Sequence, residues 1–185
     1  MKKKYNKIKR GFSLVEVLIS ILVLSFGISG VLFLMTANTK NSINAKNQII
    51  ASELAQEGIE LVRNLKDNGE ATLDALNALG SPYNDKRIDY TSSALNMGVG
   101  TDKRLYLNGG FYTHTNGAGS VPTKFYRTIY LTVTGSKLLV PSTRKITVTS
   151  YVTWKNNGFT LIAGFPGNCN VANSCVSVVA VFPDL

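Results

Sequence analysis

The sequence predicts an α+β protein, with one long N-terminal helix followed by an antiparallel β-sheet that packs against the second half of the helix. Three observations carry this prediction. An apolar run without any charged residue extends from Val17 to Thr39 behind a basic leader. A helical stripe of apolar residues continues after that run. From Arg104 onward the hydrophobic pattern has a period of two, which is typical of β-strands.

The apolar run is long enough to cross a lipid bilayer. Its 23 residues span about 35 Å as a helix, because each residue rises by about 1.5 Å. Glu16 stands directly before the run. A carboxylate near a membrane core costs a few kcal/mol, so this position indicates a positively charged partner. The alternative is a carboxylic acid that is tolerated near the headgroups in its protonated form.

The charge distribution orients this helix and limits the classes of partner. The chain has a formal charge of +9, and six of its positive charges lie in the leader: Lys2, Lys3, Lys4, Lys7, Lys9 and Arg10. The remaining +3 is ordinary for a protein surface and argues against a nucleic-acid partner. Because basic flanks stay in the cytoplasm, the N-terminus is predicted inside and the C-terminal domain outside.

The helical pattern continues well beyond the apolar run. Apolar residues recur at steps of seven and four along one face, namely Ile43, Ile50, Leu54, Leu61 and Leu65. Glu53, Glu57 and the spaced pair Glu60 and Arg63 are predicted on the opposite, solvated face. The sequence 66–69 reads as a stop, so residues 12–66 form one helix of about 80 Å.

The C-terminal half is predicted to be a sheet. Residues 69–103 are assigned to a connecting loop with one optional short helix, and residues 104–185 to strands. Asn108-Gly109-Gly110 predicts a tight hairpin turn, since Asn and Gly tolerate a positive φ. Further strands are predicted over 125–134, 145–154, 159–163 and 176–182. The many aromatic residues of these strands are interpreted as sheet core rather than as a platform for stacking nucleic-acid bases.

No constellation in the sequence indicates catalysis. His114 is the only histidine and is interpreted as a solvated loop residue rather than a general base. No phosphate-binding loop or metal cluster appears, so we expect no enzyme activity, no cofactor and no small-molecule substrate. Cys169 and Cys175 are predicted to form a disulfide in an exported domain; a redox pair or metal site is less consistent with their spacing.

The N-terminus resembles a known processing signal. A Lys-rich leader ending in Gly11 and followed by Phe12-Ser13-Leu14-Val15-Glu16 is similar to the class III signal of type IV prepilins and pseudopilins. The resemblance implies that prepilin peptidase cuts between Gly11 and Phe12 and methylates the new N-terminus of Phe12. It also implies an assembly role for Glu16, whose carboxylate would pair with the amine of Phe12 on a neighbouring subunit.

This resemblance implies a domain order of a cleaved leader over 1–11, a transmembrane and assembly half over 12–39, and an amphipathic half over 40–68. Gly27 and Gly30 are either a close-packing face or ordinary small residues of a membrane helix. The sequence segments 51–60 and 125–128 resemble minor pilins of the pilus modification-protein type.

The expected function is therefore that of a minor pilin, a structural subunit of a type IV pilus or pseudopilus. Its expected partners are other pilin subunits, prepilin peptidase and, before assembly, membrane lipid. Its expected location is the cytoplasmic membrane and then the cell surface. The alternatives are a pseudopilin of a type II secretion or DNA-uptake machine, and a membrane-anchored binding domain that never polymerises.

Overall fold

The computed structural model describes Gly11, residues 13–68, 83–90, 103–135 and 145–155, Phe159 and residues 166–183. The chain divides into two compact units, Met1–Asn44 and Ala45–Leu185. We call them the N-terminal unit and the sheet unit. Together the elements form an α+β, pilin-like architecture.

A single helix, α1, runs from Leu14 to Asn68. It begins two residues later and ends two residues later than predicted. Ser13 starts the helix, because its carbonyl oxygen accepts from the backbone N–H of Glu16 at 3.0 Å and of Val17 at 3.2 Å. Lys66 lies in the last turn, where a positive charge is favourable.

The strands are β1 (Tyr83–Lys86), β2 (Arg104–Asn108), β3 (Phe111–Thr113), β4 (Val121–Thr134), β5 (Lys145–Thr153) and β6 (Cys175–Pro183). They form one antiparallel sheet in the order β3-β2-β4-β5-β6, and β1 pairs with β4 outside this path. Strand β4 is long enough to pair with β2 near Val121 and with β1 near Leu131.

The predicted hairpin is confirmed. Asn108 pairs with Phe111, and the turn between them is Gly109-Gly110, whose φ angles are 57° and 91°. Such angles favour glycine because a side chain would be strained there. Strands β5 and β6 are also close to their predicted bounds, whereas β4 begins four residues earlier than expected.

One prediction about the residues between the helix and the sheet needs correction, and two further predicted elements lie outside the described residues. The segment 69–103 is not a loop throughout, because it contains β1 and the fully buried core residue Ile88. The four residues of β1 are Tyr-Asn-Asp-Lys, which show no period of two, so the strand does not stand out in the sequence. The optional helix over 70–79 and, apart from Phe159, the predicted strand over 159–163 fall outside the described residues.

Within the sheet unit the helix packs on one face of the sheet in two apolar clusters. The first joins Ala51, Leu54 and Ala55 to Leu105, Phe125, Val152 and Trp154. The second joins Ile59, Val62 and Leu65 to Ile88, Ile129, Leu131, Ile146, Val148 and Phe182. Strand β4 therefore runs in the same direction as the helix. Of the predicted stripe, Leu54 and Leu65 are buried, whereas Ile43 is 52% exposed.

Candidate functional site

The start of the helix positions the predicted processing and assembly residues. Gly11 is exposed and Glu16 lies in the first helical turn. There its carboxylate is favoured by the positive end of the helix dipole. Phe12 falls outside the described residues, so cleavage after Gly11, methylation of Phe12 and pairing of Glu16 with that amine stay predictions.

The apolar run presents its side chains outward in the N-terminal unit. Large residues such as Leu22, Phe26 and Phe33 are more than half exposed. By length and composition, α1 holds a segment apolar enough to cross a membrane, with a mean hydropathy of 2.6 over 18 residues. Such a surface requires lipid or other apolar helices around it, because exposing it to water is unfavourable.

The hydroxyl groups of this run are satisfied within the helix. The hydroxyls of Ser20, Ser25, Ser29, Thr36 and Thr39 each donate to the carbonyl oxygen four residues earlier, at 2.7–2.9 Å. Because an unpaired polar group in lipid costs several kcal/mol, this arrangement suits a bilayer. Glu16 remains the one acidic side chain between Ser13 and Thr39.

Gly27 and Gly30 lie on this exposed part of the helix. A methyl group added at either glycine would meet nothing within 4 Å. The helix also continues through both positions without interruption. A close-packing role at these glycines would therefore have to involve another molecule, and it stays a prediction.

The predicted disulfide is confirmed: Cys169 and Cys175 are bonded, with their Cα atoms 5.0 Å apart. The loop between them holds a short 3-10 helix, Val171–Asn173, which Asn170 caps by accepting from the Asn173 N–H. Ser174 has a φ of 57° and its carbonyl oxygen accepts from Trp154 N and Thr153 Oγ1, at 3.1 and 2.8 Å. The loop is thus fixed to the end of β5.

A buried arginine joins the helix to the sheet. Arg127 lies on β4 and is 0% exposed. Its guanidinium donates to the carbonyl oxygens of Leu54, at 3.2 Å, and Ile88, at 2.9 Å, and lies 3.2 Å from the Glu57 carboxylate. A buried charge is tolerated only when it is paired and hydrogen-bonded. Glu57 is therefore a structural partner of Arg127, while its side chain stays 37% exposed on the helix face that was predicted to be solvated.

The prediction that His114 is a solvated loop residue is wrong. Its side chain is 4% exposed, and Nδ1 lies 2.8 Å from Asp89 Oδ1. Nε2 lies 3.2 Å from the carbonyl oxygen of Arg127. Both ring nitrogens thus face oxygen atoms of the protein. These contacts hold the imidazole inside the fold.

Asp89 is held by the same group of residues. Its carboxylate accepts from the backbone N–H of His114 at 2.9 Å and from Thr113 Oγ1 at 3.2 Å. Burial alone raises the pKa of Asp89, but hydrogen bonds and the positive charge of His114, with the charge of Arg127, outweigh it. The pKa of Asp89 consequently lies below its ordinary value of 3.8. The carboxylate is stabilised as an anion inside the fold.

Gly58 allows the helix to approach the sheet closely. A Cβ atom at this position would lie 2.5 Å from Ser150 Oγ and 3.3 Å from Arg127 Cδ. Ser150 is fully buried, and its hydroxyl has no hydrogen-bond partner among the described residues. The absence of a side chain at Gly58 therefore sets the distance between α1 and β5.

The two sequence segments that resemble minor pilins are brought together by these contacts. Glu57 and Gly58 belong to the helical segment 51–60, and Arg127 belongs to the strand segment 125–128. Each segment by itself has the pattern of an ordinary amphipathic helix or strand. The sequence features that could have indicated this contact are a glycine and an acid on a helix, and an arginine in the middle of an otherwise apolar and Thr-rich strand.

The described residues bring together no three His, Cys, Asp or Glu side chains that would hold a metal ion. The buried polar cluster instead joins α1, β4, the residues after β1 and the residue after β3. Its groups bind one another and the backbone. This arrangement connects the helix to the sheet within the sheet unit.

Comparison with known proteins identifies the N-terminal segment. Residues 6–32 match the model of the prokaryotic N-terminal methylation motif. No curated protein and no solved structure matches the chain. The match spans Gly11, Phe12 and Glu16, together with most of the exposed apolar run. Residues 6–32 of this chain therefore carry the N-terminal methylation signal of type IV pilin-like proteins.

Proposed function

We propose that this protein is a minor pilin, a structural subunit that assembles through its N-terminal helix into a type IV pilus or pseudopilus. The observation that carries the proposal is the methylation motif at 6–32, which overlaps an apolar stretch of helix whose large side chains are exposed. The helix needs apolar surroundings, which lipid supplies before assembly and sister helices supply afterwards.

In this proposal prepilin peptidase acts first. It cuts the bond between Gly11 and Phe12 on the cytoplasmic side and methylates the Phe12 amine. The span then anchors the mature chain with its sheet unit outside. On assembly, the positive amine of Phe12 pairs with the Glu16 carboxylate of a neighbour, so that two charges that are costly in lipid neutralise each other.

The sheet unit has a structural role in this proposal. His114 bonds to Asp89 and to the carbonyl oxygen of Arg127, and the Arg127 guanidinium bonds to backbone carbonyl oxygens of the fold. We therefore propose that the protein is not an enzyme. We propose a minor pilin rather than a major subunit because the sequence segments 51–60 and 125–128 resemble minor pilins. These two segments contact each other in the fold.

The test of processing is the N-terminus of the mature protein in a strain that has prepilin peptidase. We expect methylated Phe12 by mass spectrometry. Gly11→Val should leave the uncut precursor in the membrane, because a side chain at this position obstructs the peptidase. Gly27→Val, sixteen residues further along the same helix, is the matched control and should be cut normally.

The same measurement separates the alternatives. An intact Met1 in the wild-type protein would contradict processing and would favour a plain membrane anchor. Methylated Phe12 in a protein that is never recovered with sheared surface filaments would favour a pseudopilin of a secretion or DNA-uptake machine over a subunit of a surface pilus.

A further inference from the structure

The acidic residues of this chain are distributed very unevenly. No Asp or Glu occurs between Glu16 and Glu53, or between Asp102 and Asp184. The second of these stretches contains eight Lys and Arg residues. The modest net charge of the chain after its leader is therefore the sum of two opposite contributions. The sheet is strongly basic, and the second half of the helix together with the connection to the sheet is acidic.

One end of the sheet unit collects basic and apolar residues. Asn47 is near the start of the helix in this unit, and its side-chain oxygen accepts from Lys124 Nζ at 2.5 Å. Lys46 and Lys124 are both exposed. Val121, three residues before Lys124 on β4, is 61% exposed, and Phe111 at the tip of the β2–β3 hairpin is 58% exposed.

We call the surface made by Lys46, Phe111, Val121 and Lys124 the basal surface. Strand β4 runs along the helix, so its first residues lie at the end where the helix enters the unit. Leu107 pairs with Val121 on one side and with Tyr112 on the other, next to the tip of the same hairpin. The described acids of the helix, Glu53 and those after it, lie further along toward Asn68. The basal surface is thus positive and partly apolar.

The chain tethers this surface close to the membrane. Ala45, the first residue of the sheet unit, follows the end of the apolar run at Thr39 by six residues. Six residues reach at most about 21 Å even when fully extended. Ala45 is therefore held within that distance of the end of the membrane-spanning segment, and Lys46 follows it directly.

We propose that the basal surface docks on anionic lipid headgroups while the protein is anchored in the membrane before assembly. Lysines near an anionic membrane surface are attracted to it, and exposed Phe and Val side chains enter the boundary between headgroups and acyl chains favourably. The proposal rests on the membrane-anchored precursor of the proposed function. It adds a contact that orients the sheet unit before the subunit is extracted.

The single tryptophan of the chain provides the probe. Trp154 follows β5 and belongs to the cluster nearest the basal surface. The full chain is reconstituted into vesicles of phosphatidylcholine, with or without phosphatidylglycerol, that contain a dansyl-labelled headgroup lipid. Energy transfer from Trp154 to dansyl then reports how close the sheet unit lies to the surface.

We expect greater transfer in the anionic vesicles, and we expect the excess to disappear at high salt, where the screening length is about 3 Å. Lys46→Gln combined with Lys124→Gln should reduce the docked-to-free ratio by about fivefold per lysine. Because glutamine is shorter than lysine and loses the bond from Lys124 to Asn47, urea unfolding is used to check that the variant stays folded. The matched control is Lys66→Gln combined with Lys145→Gln, two basic residues at the opposite end of the helix and of β5.

Equal transfer in both lipids would overturn the proposal, as would an equal loss in the control variant. An excess that vanishes when protein is diluted in lipid would also overturn it, because that behaviour indicates docking on a second copy. Membrane insertion is measured separately by alkaline extraction. A protein that inserts but does not dock refutes the basal surface and leaves the anchored subunit intact, whereas a protein that fails to insert refutes the anchor itself.

Discussion

The two halves of α1 show how one helix serves two different surroundings. Before Asn44 its large side chains are exposed, and its hydroxyls bond to its own backbone. A Cβ atom added at Gly27 or Gly30 would contact nothing within 4 Å. After Ala45 it buries Ala51, Leu54 and Ala55 against a sheet. The apolar surface of the first half needs lipid or other helices to cover it, whereas the apolar surface of the second half is covered by the sheet of its own chain. Substitutions in the two halves should therefore have separable effects.

The largest expected effect is on assembly, from Glu16→Ala in the first half. The variant should still be inserted and cut, because neither step needs the carboxylate, yet it should be almost absent from filaments. The measurement is recovery of tagged protein in sheared filaments at matched membrane levels. Glu53→Ala, which removes an exposed acid from the second half of the same helix, is the control and should assemble normally.

Unfolding of the sheet unit should be unchanged by Glu16→Ala. If the variant enters filaments as efficiently as the wild type, Glu16 is not an assembly determinant. The first half of the helix would then not be distinguished from the second by a role in assembly. A loss of stability as well as assembly would show that the first half also supports the fold.

The next effect is on stability, from Arg127→Met in the sheet unit. This change leaves the carbonyl oxygens of Leu54 and Ile88 without their donor and leaves Glu57 without its partner. Losing hydrogen bonds to buried acceptors costs about 1–3 kcal/mol, whereas the Glu57 side chain, which is 37% exposed, is then solvated by water. Arg63→Met removes an exposed pair with Glu60 and should cost less than about 1 kcal/mol. Urea unfolding of the detergent-solubilised chain compares them, and similar losses would refute a structural role for Arg127.

A smaller effect comes from the same substitution at two glycines of the helix. Gly58→Ala places a methyl group against Ser150 Oγ and should cost about 1–2 kcal/mol, although alanine favours a helix by about 1 kcal/mol. Adding Ser150→Ala removes the obstructing hydroxyl and should restore at least wild-type stability. Gly27→Ala should leave unfolding of the sheet unit unchanged. A double variant no better than Gly58→Ala alone would show that Arg127, not Ser150, limits the approach.

The smallest expected effect is on acid sensitivity, through Asp89. Since folding lowers the pKa of this carboxyl below 3.8, its contribution to stability is fully present above the unfolded value and is lost as pH falls through the folded one. Asp89→Asn should therefore be less stable than the wild type at neutral pH, and the difference should shrink below about pH 4. A difference that stays constant with pH would indicate lost packing rather than lost charge.

The extent to which the sequence predicts this molecule differs between the same two regions. The span, the helix continuing to Asn68 and the Asn108-Gly109-Gly110 turn follow from local rules of length, periodicity and φ preference. The disulfide follows from two cysteines that are six residues apart. Such features need only their own segment of chain to be recognised, and these predictions agree with the structure.

The buried polar cluster depends on contacts between distant segments, and no local rule predicts it. His114 looks solvated beside Thr113 and Thr115, and becomes buried only because Asp89 and the Arg127 carbonyl approach it. Glu57 looks solvated because its helical spacing from Glu53 is compatible with a wet face, and this spacing does not indicate its pairing with Arg127. Ile88 has no periodic neighbours, so its place in the core depends on the pairing of β1 with β4.

The contacts of Arg127 also bear on the order in which the sheet unit forms. Its guanidinium is satisfied only when segments 73 and 39 residues away along the chain have arrived. Such long loops are closed late, because their entropic cost precedes any gain from the contact. We expect this arginine to be unpaired in the folding transition state. Weakening it should therefore speed unfolding far more than it slows folding, so the lifetime of the folded sheet unit, rather than its rate of formation, depends on this one side chain.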